Sequence, residues 1–92
     1  MLDKQNRIII SHKFDEVSIR KGSTINIYYD RNENLFFIDD FEDCNYFLIA
    51  RRKVDNKNRF FVPSQVYETY GTKKIMCGIK DSKIYLLPMN EA

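Results

Sequence analysis

The chain has 92 residues, of which 43% are hydrophobic and 14% aromatic, values typical of one folded domain or of two small intertwined units. Its net charge of +2 is unevenly divided, because residues 1–45 carry −3 and residues 46–92 carry +5. The composition excludes a disordered chain, and no apolar run approaches the ~20 residues of a membrane span. Since Met1 begins no signal-peptide pattern, we expect a cytoplasmic protein with no membrane association, whose Cys44 and Cys77 are reduced.

The first half of the chain predicts short strands joined by polar turns. The apolar, β-branched stretch from Arg7 to Ser11 is typical of a strand, and residues 12–19 are a candidate short helix. Two further strands, from Thr24 to Tyr29 and from Leu35 to Ile38, flank a polar turn and predict a β-hairpin. The acidic residues 39–45 show no periodicity and are expected to connect the two halves.

The second half predicts a similar order of elements after a longer strand. That strand runs from Tyr46 to Val54, and a polar turn leads to the apolar Phe60-Phe61-Val62. Pro63 ends this second strand, because proline has no N–H for a strand ladder. We expect a helix from Ser64 to Tyr70 that ends at Gly71, a residue suited to the left-handed conformation after a helix. A final hairpin follows, with strands from Ile75 to Lys80 and from Lys83 to Leu87.

Positive charge is concentrated where the long strand meets the polar turn. The turn is Asp55-Asn56-Lys57-Asn58, whose Asp and Asn side chains hydrogen-bond readily to nearby backbone. We therefore expect a strand, a turn and a second strand that form a hairpin with the cations at its tip. These cations are Arg51, Arg52, Lys53, Lys57 and Arg59.

The turn pattern occurs twice, at an interval of 52 residues. Asp3-Lys4-Gln5-Asn6-Arg7 precedes Ile8-Ile9-Ile10 as Asp55-Asn56-Lys57-Asn58-Arg59 precedes Phe60-Phe61-Val62. In both copies Asp and Arg are four residues apart, Asn precedes Arg, and three apolar residues follow. This internal repeat predicts two units that share one core, residues 1–45 with the acidic connector and residues 46–92.

The second unit resembles the swapped-hairpin domain of AbrB-type transition-state regulators in its Asp55-x-x-x-Arg59 turn, its short helix, Gly71 and its final hairpin. The doubled motif is similar to that of MraZ, in which two such units lie in one chain, and MazE-type antitoxins share the fold. The resemblance is good over residues 46–88 and weaker over residues 2–38. It implies a mainly β fold with short helices, in which two repeated units interleave their hairpins into a small β-barrel-like body.

The resemblance also implies a function, the binding of double-stranded DNA by a transcriptional regulator. It implies either a homodimer or an intrachain pseudo-dimer, with basic side chains of the strand–turn–strand region in contact with DNA. Arg51 and Arg52 point to opposite faces of a strand, so at most one of them faces a given ligand. The matching positions are Arg52, Lys53, Lys57 and Arg59 in the second unit, and Arg7 and Lys4 in the first.

The sequence departs from the family at several positions. Tyr67 and Glu68 stand where AbrB-type helices carry an Arg pair that contacts DNA, and Ser11 replaces the Pro expected after the first strand. Asn6 and Asn58 replace the usual Gly, although Asn still adopts a left-handed turn. The first unit thus keeps the fold pattern but has lost most of the basic surface, so we expect DNA binding that is lopsided or needs two chains.

Enzyme chemistry is poorly supported by the residues present. His12 is the only histidine, and no spacing marks a nucleophile with its base, so we expect no enzymatic activity and no cofactor. The acidic Asp39, Asp40, Glu42 and Asp43 lack the turn glycine and the alternating spacing of a calcium loop, and the two cysteines lack zinc spacing. The aromatic residues are expected in the core more than in a stacking platform for single-stranded nucleic acid.

Two alternatives stay open at the level of sequence. Arg59 has a purely structural interpretation, in which it pairs with Asp55 across the turn, and this does not exclude DNA contact. The chain as a whole has a second functional interpretation, an antitoxin-like or scaffold protein-interaction module on the same fold with weakened DNA binding.

Overall fold

Strands dominate this computed structural model, which describes residues 2–10, 22–40 and 45–89. The mainly β fold class is confirmed, with one short helix among the described residues. The candidate helix at residues 12–19 and residues 41–44 of the acidic connector lie outside the described ranges. In chain order the elements are β1 (Arg7–Ile9), β2 (Thr24–Asp30), β3 (Leu35–Asp39), β4 (Phe47–Lys53), β5 (Arg59–Phe61), α1 (Ser64–Tyr70), β6 (Ile75–Lys80) and β7 (Lys83–Pro88).

The strands form two antiparallel sheets. β1 pairs with β5 in a two-stranded ribbon, and the other five strands lie in the order β4-β2-β3-β7-β6. The two predicted hairpins, β2–β3 and β6–β7, are confirmed, and β3 pairs with β7 at the centre of the larger sheet. Within the described ranges the two sheets are not closed into a barrel.

The predicted hairpin of β4, the basic turn and β5 is wrong. β4 pairs with β2 and β5 pairs with β1, so the chain leaves one sheet at Lys53 and enters the other at Arg59. Val54 is buried at the corner between them, where its N–H donates to Ser23 O at 2.9 Å and its C=O accepts from Gly22 N at 2.8 Å. Apolar runs mark where strands lie, but a strand's partner depends on contacts distant in sequence, and consecutive strands do not always pair.

The predicted helix over Ser64–Tyr70 is confirmed as α1. It starts after Pro63, at φ −61, and ends at Gly71, whose φ of 70 is the left-handed conformation that glycine adopts without steric cost. Val66 is its buried residue, and this apolar contact docks the helix on the larger sheet. In the described part of the chain no helix is long and apolar enough to cross a bilayer.

The core lies between one face of the five-stranded sheet, the β1–β5 ribbon and α1. Burial of apolar side chains from both halves of the chain holds these three layers together. The opposite sheet face carries a smaller aromatic cluster of Tyr28, Phe37 and Tyr85, in which the Tyr28 and Phe37 rings stack with centroids 5.3 Å apart. The main core consists of Ile8, Ile10, Ile25, Ile27, Phe36, Ile38, Val54, Phe60, Val62, Val66, Ile75, Ile84 and Leu86.

Candidate nucleic-acid interface

Two loops of the same geometry lead into β1 and β5. In each loop the Asp Oδ1 accepts hydrogen bonds from the backbone N–H groups two and four residues later, all at 2.9 Å. The Asp Oδ2 accepts from the Arg side chain, at 2.8 Å for Arg7 Nε to Asp3 and 2.9 Å for Arg59 Nε to Asp55. The asparagine before each arginine adopts a left-handed φ, 61° in the first loop and 58° in the second. The repeated sequence motif is therefore also a repeated structure.

The two strands that follow these loops meet with twofold pseudosymmetry. Ile8 opposes Phe60, its own counterpart in the repeat, and the flanking pairs are Arg7 with Phe61 and Ile9 with Arg59. A pseudo-twofold axis therefore passes between Ile8 and Phe60. The two loops lie at opposite ends of the ribbon, because the strands that they start run antiparallel.

The ribbon has one buried face and one exposed face. Ile8 and Phe60 point into the core, whereas Ile9 is 61% exposed and Phe61 is 51% exposed. Residues two apart in a strand share a face, so both arginines lie on the exposed side with these two apolar residues. The Arg7 guanidinium lies 5.8 Å from the centre of the Phe61 ring. The outward face thus combines two arginines with two large apolar side chains.

The aspartates hold both arginines in place. The structural interpretation of Arg59 is confirmed, and Arg7 repeats it. Each Nε is engaged by a carboxylate, and the Arg7 and Arg59 side chains are 20% and 21% exposed. Contact with a further ligand is therefore limited to their terminal guanidinium nitrogens. The backbone hydrogen bond from Arg7 holds the pKa of Asp3 below its ordinary 3.8. Burial alone would raise the pKa of Asp55, but hydrogen bonds from the Arg59 and Lys57 backbone outweigh it, and the pKa is lowered.

The remaining predicted cations flank the ribbon or lie on β4. Lys4, Lys53 and Lys57 are exposed, and none of them forms a salt bridge with a described carboxylate. Arg51 is exposed and Arg52 is partly buried, with its Nη1 donating to Arg51 O at 2.9 Å. The two lie on opposite faces of β4, since they oppose consecutive residues of β2. The positions therefore form no single patch at a hairpin tip, and the lysines are the side chains most open to a ligand.

Sequence reasoning missed the exposure of Ile9 and Phe61. Both belong to three-residue apolar runs, which predict buried strands when taken alone. The missed signal is the period of two, because alternation places Ile9 beside Arg7 and Phe61 beside Arg59 on whichever face the arginines occupy.

The acidic connector contributes no metal site within the described residues. Burial raises the pKa of Asp40, and a hydrogen bond with the neighbouring Asp39 carboxyl adds to this effect. No group of three or more His, Cys, Asp or Glu side chains in the described ranges is placed to hold a metal ion. Glu42 and Asp43 lie outside those ranges.

Comparison with known proteins adds no functional assignment to this geometry. No family model matches the sequence, and neither a curated protein nor a solved structure shows significant similarity to the chain.

Proposed function

We propose that the chain is a cytoplasmic transcriptional regulator of AbrB-like type that binds double-stranded DNA through the exposed face of the β1–β5 ribbon. The observation that carries this proposal is the pair of aspartate-held arginines on one pseudosymmetric ribbon. The major groove of B-DNA admits a two-stranded β-ribbon, and arginine is the side chain that most often pairs with guanine O6 and N7.

The spacing of Arg7 and Arg59 suits two nearby base pairs. They lie diagonally on the ribbon, two residues apart along the strands and one strand apart across it. Strand geometry places their Cα atoms about 8 Å apart. Base pairs stack at about 3.4 Å, so this separation corresponds to roughly two base-pair steps around the pseudo-twofold axis. Each guanidinium is already oriented by its aspartate, which lowers the entropy cost of ordering it on DNA.

The exposed lysines would supply phosphate contacts. Lys57 lies in the second loop and Lys53 precedes it, and Lys4 lies in the first loop. Cations that neutralise phosphates release counterions from DNA, so affinity falls linearly with salt on a double-logarithmic scale. The salt dependence therefore measures how many of these lysines take part.

We further propose that the two units act together as an intrachain pseudo-dimer of swapped-hairpin type. β4, which belongs to the second unit, adds to the hairpin of the first unit through β2. Exchange of a strand between units is what interleaved hairpins require, and the shared core of both halves supports it.

A titration with a fluorescein-labelled duplex tests the proposal. Fluorescence anisotropy over a series of salt concentrations should give a negative salt slope for the wild type. The double variant Lys53→Gln/Lys57→Gln should make that slope less steep by about 2, one unit for each lost phosphate contact. Lys80→Gln is the matched control, because its Nζ is already 2.8 Å from a Glu33 oxygen. A slope that both variants leave unchanged would refute the placement of DNA at the second loop.

A protein-interaction module, antitoxin-like or scaffold-like, is the second candidate. The exposure of Ile9 and Phe61 favours it, since large apolar side chains at the centre of an exposed face are typical of protein interface cores. Absence of salt-dependent binding to a set of duplexes of differing sequence would favour this candidate over the first.

A further inference from the structure

Among the described residues, the outer edge of β6 has no paired strand, whereas β2, its counterpart, does. The hairpins β2–β3 and β6–β7 occupy equivalent places on either side of the boundary where β3 pairs with β7. β2 is covered on its outer side by β4, whereas β6 ends the sheet among the described residues. The pseudosymmetry of the fold therefore indicates a strand position beside β6.

The backbone groups at this edge are identified by the hydrogen-bond alternation of the β6–β7 ladder. Met89 N donates to Lys74 O at 2.8 Å, so Lys74 belongs to a hydrogen-bonded pair with β7. Paired residues alternate along an antiparallel ladder, which turns the N–H and C=O groups of Ile75, Cys77 and Ile79 toward the outer edge. Pro88 opposes Ile75 and has no N–H, which agrees with Ile75 belonging to a pair that is not hydrogen-bonded to β7.

The middle of β6 carries none of the sequence features that protect natural edge strands. Residues 75–79 contain no charge and no proline, and Met76 and Ile79 are 46% and 41% exposed. The opposite edge of the sheet differs, because β4 carries Arg51, Arg52 and Lys53 and pairs with β2 through an irregular register. Like charges would oppose a β4–β4 contact between two copies, whereas nothing in the middle of β6 opposes a β6–β6 contact.

We propose that β6 pairs antiparallel with β6 of a second copy of this chain, about a twofold axis normal to the sheet. Such an axis keeps equivalent faces of the two sheets on the same side, so odd residues oppose odd residues. With Cys77 opposite its own copy, Ile75 opposes Ile79 of the partner subunit, and Met76 opposes Gly78 of the partner subunit. This register satisfies the outward backbone groups of all three odd residues and covers both exposed apolar side chains. The contact closes on itself, as isologous interfaces do, and it does not depend on DNA binding.

The ends of the paired strands set the limit of the interface. In this register Lys74 opposes Lys80 of the partner subunit, and the Lys80 charge is compensated by Glu33 at 2.8 Å. Repulsion at these ends is therefore weak, and added salt should strengthen the dimer slightly while it weakens the proposed DNA complex. The opposite signs of the two salt effects distinguish the two proposals.

Sedimentation equilibrium over a concentration series tests the interface. The full chain should approach twice its mass of 11.0 kDa at high concentration. Ile79→Pro removes an outward N–H without touching the β7 ladder, and it should weaken dimerisation roughly ten- to hundredfold because two symmetric hydrogen bonds are lost. Phe47→Lys, on the other sheet edge, is the matched control and should leave the dimer unchanged.

Two further measurements keep the test decisive. If the far-UV circular dichroism of Ile79→Pro shows that this variant is unfolded, Met76→Lys is used in its place. Met76 is 46% exposed, so the lysine should be tolerated in the monomer, and its charge would face the partner strand. Amide exchange of Ile75, Cys77 and Ile79 should slow with increasing protein concentration. A chain that stays monomeric at millimolar concentration, or a dimer that breaks in Phe47→Lys but persists in both β6 variants, would overturn the proposal.

Discussion

Tyr70 connects α1 to the β3–β7 pair, where the two hairpins meet. Removal of its hydroxyl tests how much this connection stabilises the fold. The hydroxyl accepts a hydrogen bond from Phe36 N at 2.8 Å and donates one to Leu86 O, so it bridges β3 and β7. Phe36 and Leu86 oppose each other in the ladder and are both buried. Tyr70→Phe keeps the ring, including its edge-on contact with Phe36 at 5.4 Å, and removes only the bridge.

The expected cost follows from the two groups left without a partner. A buried donor or acceptor deprived of its hydrogen bond costs about 1–3 kcal/mol, so Tyr70→Phe should lower the unfolding free energy by about 2–3 kcal/mol. That is a large share of the ~5–14 kcal/mol expected for a chain of this length. In a small domain it corresponds to a fall in Tm of about 10–20 °C.

Urea unfolding followed by far-UV circular dichroism measures this cost. Tyr67→Phe is the matched control on the same helix, because no described group hydrogen-bonds to the Tyr67 hydroxyl, and it should change the unfolding free energy by less than about 0.5 kcal/mol. If Tyr70→Phe is as mild as the control, with an unchanged m-value, the hydroxyl does not hold the two hairpins together.

Two further predictions concern pH. The lowered pKa of Asp55 implies that its loop stabilises the fold above pH ~4 and loses this effect as pH falls through the folded pKa. Asp55→Asn should therefore unfold at lower urea than the wild type at pH 7, and the difference should shrink as pH falls to 3. A difference that is the same at both values would contradict this. Burial raises the pKa of Tyr85 to about 12. The Asp30 carboxylate adds to this shift, since its Oδ2 accepts a hydrogen bond from the Tyr85 hydroxyl at 3.2 Å. Since an unfolded tyrosine titrates near 10, stability should fall between pH 10 and about 12, and Tyr85→Phe should flatten that fall in an alkaline unfolding series.

The strands, the helix and the loop motif could be predicted from local sequence, because each has a local physical cause. Alternating apolar residues define β2, two short turns define the hairpins, and Gly71 ends α1 in a left-handed conformation. The interval of 52 residues likewise predicts equivalent contacts for Asp3 and Asp55. Each accepts a hydrogen bond from the Nε of its arginine, at 2.8 Å for Asp3 and 2.9 Å for Asp55.

The strand partners could not be predicted in this way. β4 and β5 are adjacent in sequence and separated by a turn of the hairpin-forming type, yet they belong to different sheets. The turn itself forms, since Asn58 N donates to Asp55 O at 3.1 Å and Asp55 N donates to Arg59 O at 2.8 Å. The strands separate beyond it because Val54 hydrogen-bonds to Ser23 and Gly22 instead of to β5. The loop therefore changes the direction of the chain, and the candidate site moves from a hairpin tip to the ribbon face.

The same loops explain why the proposed DNA contact should be lopsided. Geometry gives the ribbon two equivalent arginines, each next to a charged aspartate that offsets much of its positive field. Net attraction for phosphate must then come from cations without such a partner. Around the second loop these include Lys53 and Lys57, which form no salt bridge with a described carboxylate. At the position of Lys57 the first loop has Gln5. A duplex on this ribbon should therefore gain base contacts from both loops and phosphate contacts mainly from the second, so Lys57→Gln should reduce the salt slope more than Lys4→Gln does.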